Sequence, residues 1–195
     1  MIEDQAREPS LPSLPAAPDL MAPVAGFRDW RVTQDGLCSP RTGVRWVTRV
    51  LHAECRPRSA DDLVRRPHRA PGHDCGCGVH AYLEPSDEAS KISYAGVSGI
   101  VSLWGDVEIH AGGLRAEYAR IEALGVYARW TERQKSAVQT IAAALDVDIL
   151  DLYDLADAAA SYASPVPPGL VPDGGRKGRS GRRRRGPARL IIARS

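Results

Sequence analysis

The sequence predicts an α+β fold: a small, mainly antiparallel β module followed by a C-terminal helix pair, with disordered termini. Three observations lead there. Short runs of β-branched and aromatic residues alternate with charges between residues 26 and 124. Helical periodicity is confined to residues 131–163. Prolines, glycines and arginines crowd the two ends. At 195 residues and 43% hydrophobic content, the chain can hold one domain with a real core, and Trp30, Trp46, Trp104 and Trp130 are placed to anchor it.

Residues 1–25 carry Pro9, Pro12, Pro15, Pro18 and Pro23 without helical or strand periodicity, which predicts an extended, disordered leader. The β module is expected over 26–128. Gly26-Phe27-Arg28-Asp29-Trp30-Arg31-Val32 alternates as a strand does, Asp35-Gly36 marks a tight turn, and Val44 to Leu51 resumes β-prone composition up to Cys55. Two or three antiparallel strands follow from this pattern. Residues 56–67, with Pro57, Pro67 and four arginines, read as a loop, and Val79 to Leu83 as a short strand.

The clearest strand is Val97 to His110. Alternation puts Val101, Leu103, Val107 and Ile109 on one face and Ser102, Trp104, Asp106, Glu108 and His110 on the other, with Gly105 as a bulge. Gly112-Gly113 turns the chain, and Leu114 to Ile121, whose pattern suits either strand or helix, is read as the returning strand because it follows a double-glycine turn and a long strand. Over 129–164 the texture becomes helical. Thr131 and Gln134 form a capping box ahead of Ala137, Val138, Ile141, Ala142 and Leu145, and a second helix is expected from Ile149 to Ala163 with Leu152, Leu155, Ala156 and Ala159 on one face. Residues 165–195 read as a disordered Pro/Gly linker and arginine-rich arm.

The densest chemistry lies between His68 and His80. Cys75 and Cys77 form a C-x-C pair, preceded by His68 in an H-x6-C spacing, and thiolate and imidazole are the donors Zn2+ prefers. With Cys55 these residues make a Cys3His set, a closed structural type that helps a loop-rich domain fold. His73, His80, His52 and Cys38 are substitutes that spacing leaves open, as are buried thiols without metal and a reactive cysteine served by a histidine base. A disulfide framework is not expected, because the N-terminus lacks a signal peptide's pattern and the chain reads as cytoplasmic.

Trp104, Asp106, His110, Arg115 and Glu117 surround the Gly112-Gly113 turn and are candidates for a pocket mouth, set against the plainer reading of an outward polar sheet face. No Walker A loop, G-x-G-x-x-G, G-x-S-x-G or H-E-x-x-H motif is present. A DNA-reading helix-turn-helix over 131–163 is disfavoured, since Asp146, Asp148, Asp151, Asp154 and Asp157 would repel phosphates. Positive charge gathers elsewhere. Nine of the 26 basic residues lie in 176–195 with no acid among them, leaving 17 against 24 acids in the rest of the chain. Arg176, Lys177, Arg179, Arg182, Arg183, Arg184, Arg185 and Arg189 are therefore the candidate contacts to nucleic acid or another polyanion, although such an arm equally suits folding back on its own acidic body.

The combination Gly26-Phe27-Arg28-x-Trp30, Cys55, His68-x-Ala70-Pro71, Cys75-Gly76-Cys77-Gly78-Val79-His80-Ala81, then Leu103-Trp104-Gly105-x-Val107 and Arg115-Ala116-Glu117-x-Ala119, resembles a family of uncharacterised bacterial and phage proteins with a C-x-C-G-[IV]-x-A segment followed by L-W-G-x-V and R-A-E-x-A motifs. The resemblance covers residues 26–124 and implies that they form one module. His80 stands where a tyrosine is usual.

The expectation is a non-catalytic binding or regulatory protein, stabilised by Zn2+, that touches nucleic acid without sequence preference through its arm. The alternatives are an enzyme built on the Cys/His or Asp/His/Arg/Glu constellation, and an adaptor whose acidic helix pair binds a protein partner. A membrane partner is not expected, as no apolar run reaches the length of a span.

Overall fold

A computed structural model describes residues 22–55, 68–72, 74–85, 96–172 and 188–192. The architecture is α+β, as the sequence predicts: among the described residues, a nine-stranded, mostly antiparallel sheet carries two α-helices. Strand β1 (Val24–Thr33) turns into β2 (Gly36–Cys38), which pairs with β3 (Arg45–Trp46). Gly36, at φ +111°, supplies the left-handed backbone that the turn requires.

The β-prone run 44–51 does not form one strand. It is cut after Trp46, and β4 (Val50–His52) crosses to the far side of the sheet. One local and two distant contacts accompany the cut: Thr48 Oγ1 donates to the Val50 carbonyl, and the Arg49 guanidinium reaches across to the Ile121 carbonyl and buried Glu122. β5 (Val79–Ala81) follows the His/Cys stretch. β6 (Gly96–His110) and β7 (Gly113–Val126) then form a long hairpin closed at His110 and Gly113.

This hairpin is the spine. β6 pairs with β1, β7 pairs with β5, and β5 returns to β1 through reciprocal backbone bonds between Phe27 and Tyr82, so four strands close a ring. β6 is buried continuously from Gly96 to Trp104, where alternation predicts one wet face, because Val97, Val101 and Leu103 pack into the main core while Ile100 is covered by Leu152 and Leu155. The ring and its flanks are filled by Val101, Leu103, Val107, Ile109, Leu114 and Ile121, with Trp30 packed edge-on against Trp46 at 5.5 Å.

Gly105 is the bulge the sequence predicts, at φ +78°. Its effect on the faces is larger than expected. Trp104 lies opposite Tyr118 and Val107 opposite Ala116, so the extra residue puts Trp104 on the face of Val107 and Ile109 and separates it from Glu108. The proposed division of faces therefore ends at Gly105.

Helix α1 (Glu132–Leu145) starts with the Thr131/Gln134 capping box and ends at Asp146 in the left-handed region, burying Val138 and Ala142. The second helix is shorter than its periodicity suggests. Residues Asp148–Asp151 form β8, parallel to β7, and the Asp151 carboxylate then caps a 3-10 turn over Leu152–Asp154 ahead of α2 (Leu155–Ala158) and a further turn over Ala159–Ser161. Of the expected apolar face, Leu152, Leu155 and Ala159 pack on Phe27, Ile100 and Ala123, whereas Ala156 is exposed. Near the C-terminus, where an unstructured arm is expected, Ala188–Ile192 forms β9 on the edge of β6, and Leu190 and Ile192 join the core. Strand β1 likewise begins inside the expected leader, at Val24. No helix among the described residues is long and apolar enough to cross a membrane.

Candidate metal centre

Cys55, His68, Cys75 and Cys77 come together. One ligand atom from each lies within 4.8 Å of all the others, although they arrive from two chain segments, one just beyond β4 and the other leading into β5. Cys55 Sγ is 3.7 Å from Cys75 Sγ, and His68 Nε2 is 3.3 Å from Cys77 Sγ. A tetrahedral zinc site with bonds of about 2.3 Å to sulfur and 2.0–2.1 Å to nitrogen has S···S edges of about 3.8 Å and N···S edges of about 3.6 Å. The two measured separations sit close to those edges, so the donor set fits the ion in kind and in spacing.

The surrounding backbone is arranged around the same atoms. The Gly72 amide donates to Cys77 Sγ at 3.1 Å, and the Cys75 amide to the Gly72 carbonyl at 3.1 Å, so the loop folds back on its own C-x-C pair. Gly72 is needed for space: a Cβ there would lie 2.4 Å from His68 Cδ2 and Nε2. Gly78, at φ +118°, turns the chain out of the site into β5. Arg115 on β7 donates to the carbonyls of both Cys75 and Cys77, and is itself held by the buried Glu108 carboxylate. His80 fixes the loop from the other side through Gly76 O at 3.0 Å.

Three thiols this close oppose one another's ionisation. Burial, then the Cys75 thiol, pushes Cys55 up to about 12, and burial also raises Cys77. For Cys75 burial acts upward too, but hydrogen bonds from the Cys77 amide, the neighbouring thiols and His68 outweigh it and bring the group down to about 7. One thiolate is thus favoured near neutrality, and a divalent cation is what would let all three ionise together.

The alternative ligands are placed elsewhere. Cys38 sits in β2, outside the cluster. His52 stacks on Tyr118 at 4.5 Å, with Nε2 3.7 Å from Glu117. His80 donates to Gly76, and burial lowers its affinity for a proton. His73 lies outside the described residues.

The pocket residues divide into two groups. Trp104, Asp106 and Glu117 line a depression of about 610 Å3, together with His52, Tyr118 and Arg69. Arg115 and His110 approach Glu108 instead, His110 at 3.4 Å. Sequence reasoning missed Arg69, whose guanidinium binds buried Glu117 at 2.6 Å, and Tyr118, which stacks between Trp104 and His52. Counting the bulge at Gly105 before assigning faces would have found Tyr118, since it stands opposite Trp104.

Of the basic candidates, Arg189 lies in β9 with its guanidinium on Asp106. Arg176, Lys177, Arg179, Arg182, Arg183, Arg184 and Arg185 lie outside the described residues. No protein-family model, curated protein or solved structure matches the chain.

Proposed function

We propose that the chain is a non-catalytic binding or regulatory module whose sheet is pinned by one structural Zn2+ held by Cys55, His68, Cys75 and Cys77. The observation that carries this reading is the convergence of four zinc-type donors within 4.8 Å from two separate segments. Four protein donors would fill a tetrahedral shell and leave no open position for substrate, which is the arrangement of structural rather than catalytic zinc. When bound, the ion cross-links the end of β4 to the loop entering β5. Both segments pair with β7, so the cross-link fastens β4 to the entry of β5 along that strand. Elemental analysis of untagged protein tests this: one zinc per chain is expected, falling to a small fraction in Cys75→Ser and Cys77→Ser, and metal-free protein with all four thiols reduced would overturn it.

We propose further that the basic residues 176–185 contact nucleic acid without sequence preference. Seven of these ten residues are basic and none is acidic. Replacing Arg182, Arg183, Arg184 and Arg185 with serine is expected to abolish a salt-sensitive electrophoretic shift while leaving the fold intact; an unchanged shift refutes the assignment. We also propose kinship of residues 26–124 with the bacterial and phage proteins that share the C-x-C-G and L-W-G-x-V motifs.

One observation favours a second reading. The 3.3 Å contact between His68 Nε2 and Cys77 Sγ is also the geometry of a thiol paired with its base. Rapid alkylation of Cys77 in protein carrying a full complement of zinc would favour the enzyme; protection of all three cluster cysteines favours the structural site.

A further inference from the structure

Strand β9 seats on β6 as a peptide seats on an open sheet edge. The register runs from Gly105 opposite Ile192 to Ile109 opposite Ala188. β1 covers the same side of β6 only as far as Leu103, so β9 takes over where β1 stops. Without it, the backbone donors and acceptors of Gly105–Ile109 on that side would form an unprotected edge.

The side chains add selectivity. Leu190 and Ile192 are buried, whereas Ile191 between them is 87% exposed, so alternate positions are read and the intervening one is free. Arg189 presents Nε and Nη2 to the two oxygens of Asp106, a planar fork that lysine cannot reproduce. Asp106 owes its position to the bulge at Gly105, where a Cβ would fall 2.8 Å from Glu117 Oε2. Residues 173–187, between the last described residue of the body and β9, include five glycines and seven basic residues.

We infer that the β6 edge over Gly105–Ile109 is a strand-addition site for an extended protein segment of the pattern arginine, aliphatic, any residue, aliphatic, and that residues 189–192 are its resident occupant. Main-chain pairing supplies affinity, the two buried positions and the guanidinium fork supply selectivity, and a partner protein bearing the same pattern competes for the edge. The inference uses none of the candidate metal ligands and stands whether or not the metal reading holds.

The test uses the full chain with Leu190→Asp and Ile192→Asp, which prevents its own segment from seating, and a fluorescein-labelled decapeptide with the sequence of residues 186–195. Fluorescence anisotropy is expected to show saturable binding to the variant. Binding to the wild-type chain is expected to be at least about tenfold weaker, because its own strand competes. Replacing the peptide arginine that corresponds to Arg189 with alanine is expected to weaken binding by about tenfold, in line with losing a charged hydrogen-bonded pair. A wild-type dimer that the double substitution abolishes would place a second copy's segment on the same edge and support the site. Absence of peptide binding by a folded variant, equal binding by variant and wild type, or indifference to the peptide arginine overturns the proposal. If the double variant does not fold, full-length Arg189→Ala is the second vehicle. It must bind the unaltered peptide more tightly than wild type does, and failure to do so overturns the proposal equally.

Discussion

Replacing Gly72 with alanine separates a metal-dependent site from a cluster of unligated thiols. The added methyl would sit 2.4 Å from His68 Cδ2 and Nε2 and 3.3 Å from Cys75 Cβ. An ordinary contact begins near 3.4 Å, so the imidazole must retreat by about 1 Å. In the absence of metal that retreat costs little, because a side-chain ring can rotate away and the backbone at Gly72 lies outside the positive-φ region. With metal the same displacement is about five times the roughly 0.2 Å tolerance of a good ligand distance. The Gly72 amide can still donate to Cys77 Sγ and Cys75 Cβ need give only about 0.1 Å, so the effect falls chiefly on His68. We predict a loss of at least about 100-fold in zinc affinity, equivalent to about 2.7 kcal/mol, with a change of under about 0.5 kcal/mol in the stability of the metal-free chain. Competition against a chromophoric chelator measures the first quantity and urea unfolding in excess chelator the second. Equal zinc affinity in Gly72→Ala and wild type would refute the placement of His68 as a ligand.

Further outcomes follow from the same geometry. Arg115→Lys removes the fork joining Glu108 to the Cys75 and Cys77 carbonyls, and zinc affinity should fall by about 10- to 100-fold at unchanged stoichiometry, measured by the same chelator titration. In metal-free protein Cys75 should be the first cysteine of the cluster alkylated, with a rate that rises through about pH 7 as its thiolate forms, while Cys55, held up to about 12, stays unreactive; mass spectrometry of timed quenches reads the order. Gly105→Ala should destabilise the fold by about 1–3 kcal/mol in thermal or urea unfolding, because φ +78° is strained for alanine and the new Cβ meets Glu117 and Tyr118.

What the sequence made legible was local. His68, Cys75 and Cys77 lie within ten residues, and donor chemistry alone marked them as a site. Cys55 is twenty residues before Cys75, and only its residue type recommended it; the fold supplies the proximity by sending β4 and β5 to the same strand. The capping box at Thr131 and the turn after His110 were equally readable, because each is decided by a few neighbouring residues.

The misread elements depended on distant partners. Nothing local in Val44 to Leu51 announces that Arg49 will bind Glu122 and split the run. Asp148–Asp151 carries a helical pattern onward from Ile149, but β7 offers it a free edge and the strand wins. The residues expected around Trp104 divide because the bulge at Gly105 puts Trp104 and Glu108 on opposite faces, while Arg115 meets Glu108 and the Cys75 carbonyl and Glu117 meets Arg69. Leu190-Ile191-Ile192, at the end of an arginine-rich run, carried too little context to be read as a strand until β6 supplied its partner.

The proposed site holds one zinc ion by three sulfurs and one imidazole nitrogen. X-ray absorption at the zinc edge of the purified full-length protein measures that shell directly. The account predicts three sulfur neighbours at about 2.3 Å and one nitrogen at about 2.0–2.1 Å, with the nitrogen lost in His68→Ala. A shell containing fewer than three sulfurs, or one unchanged in His68→Ala, would contradict it.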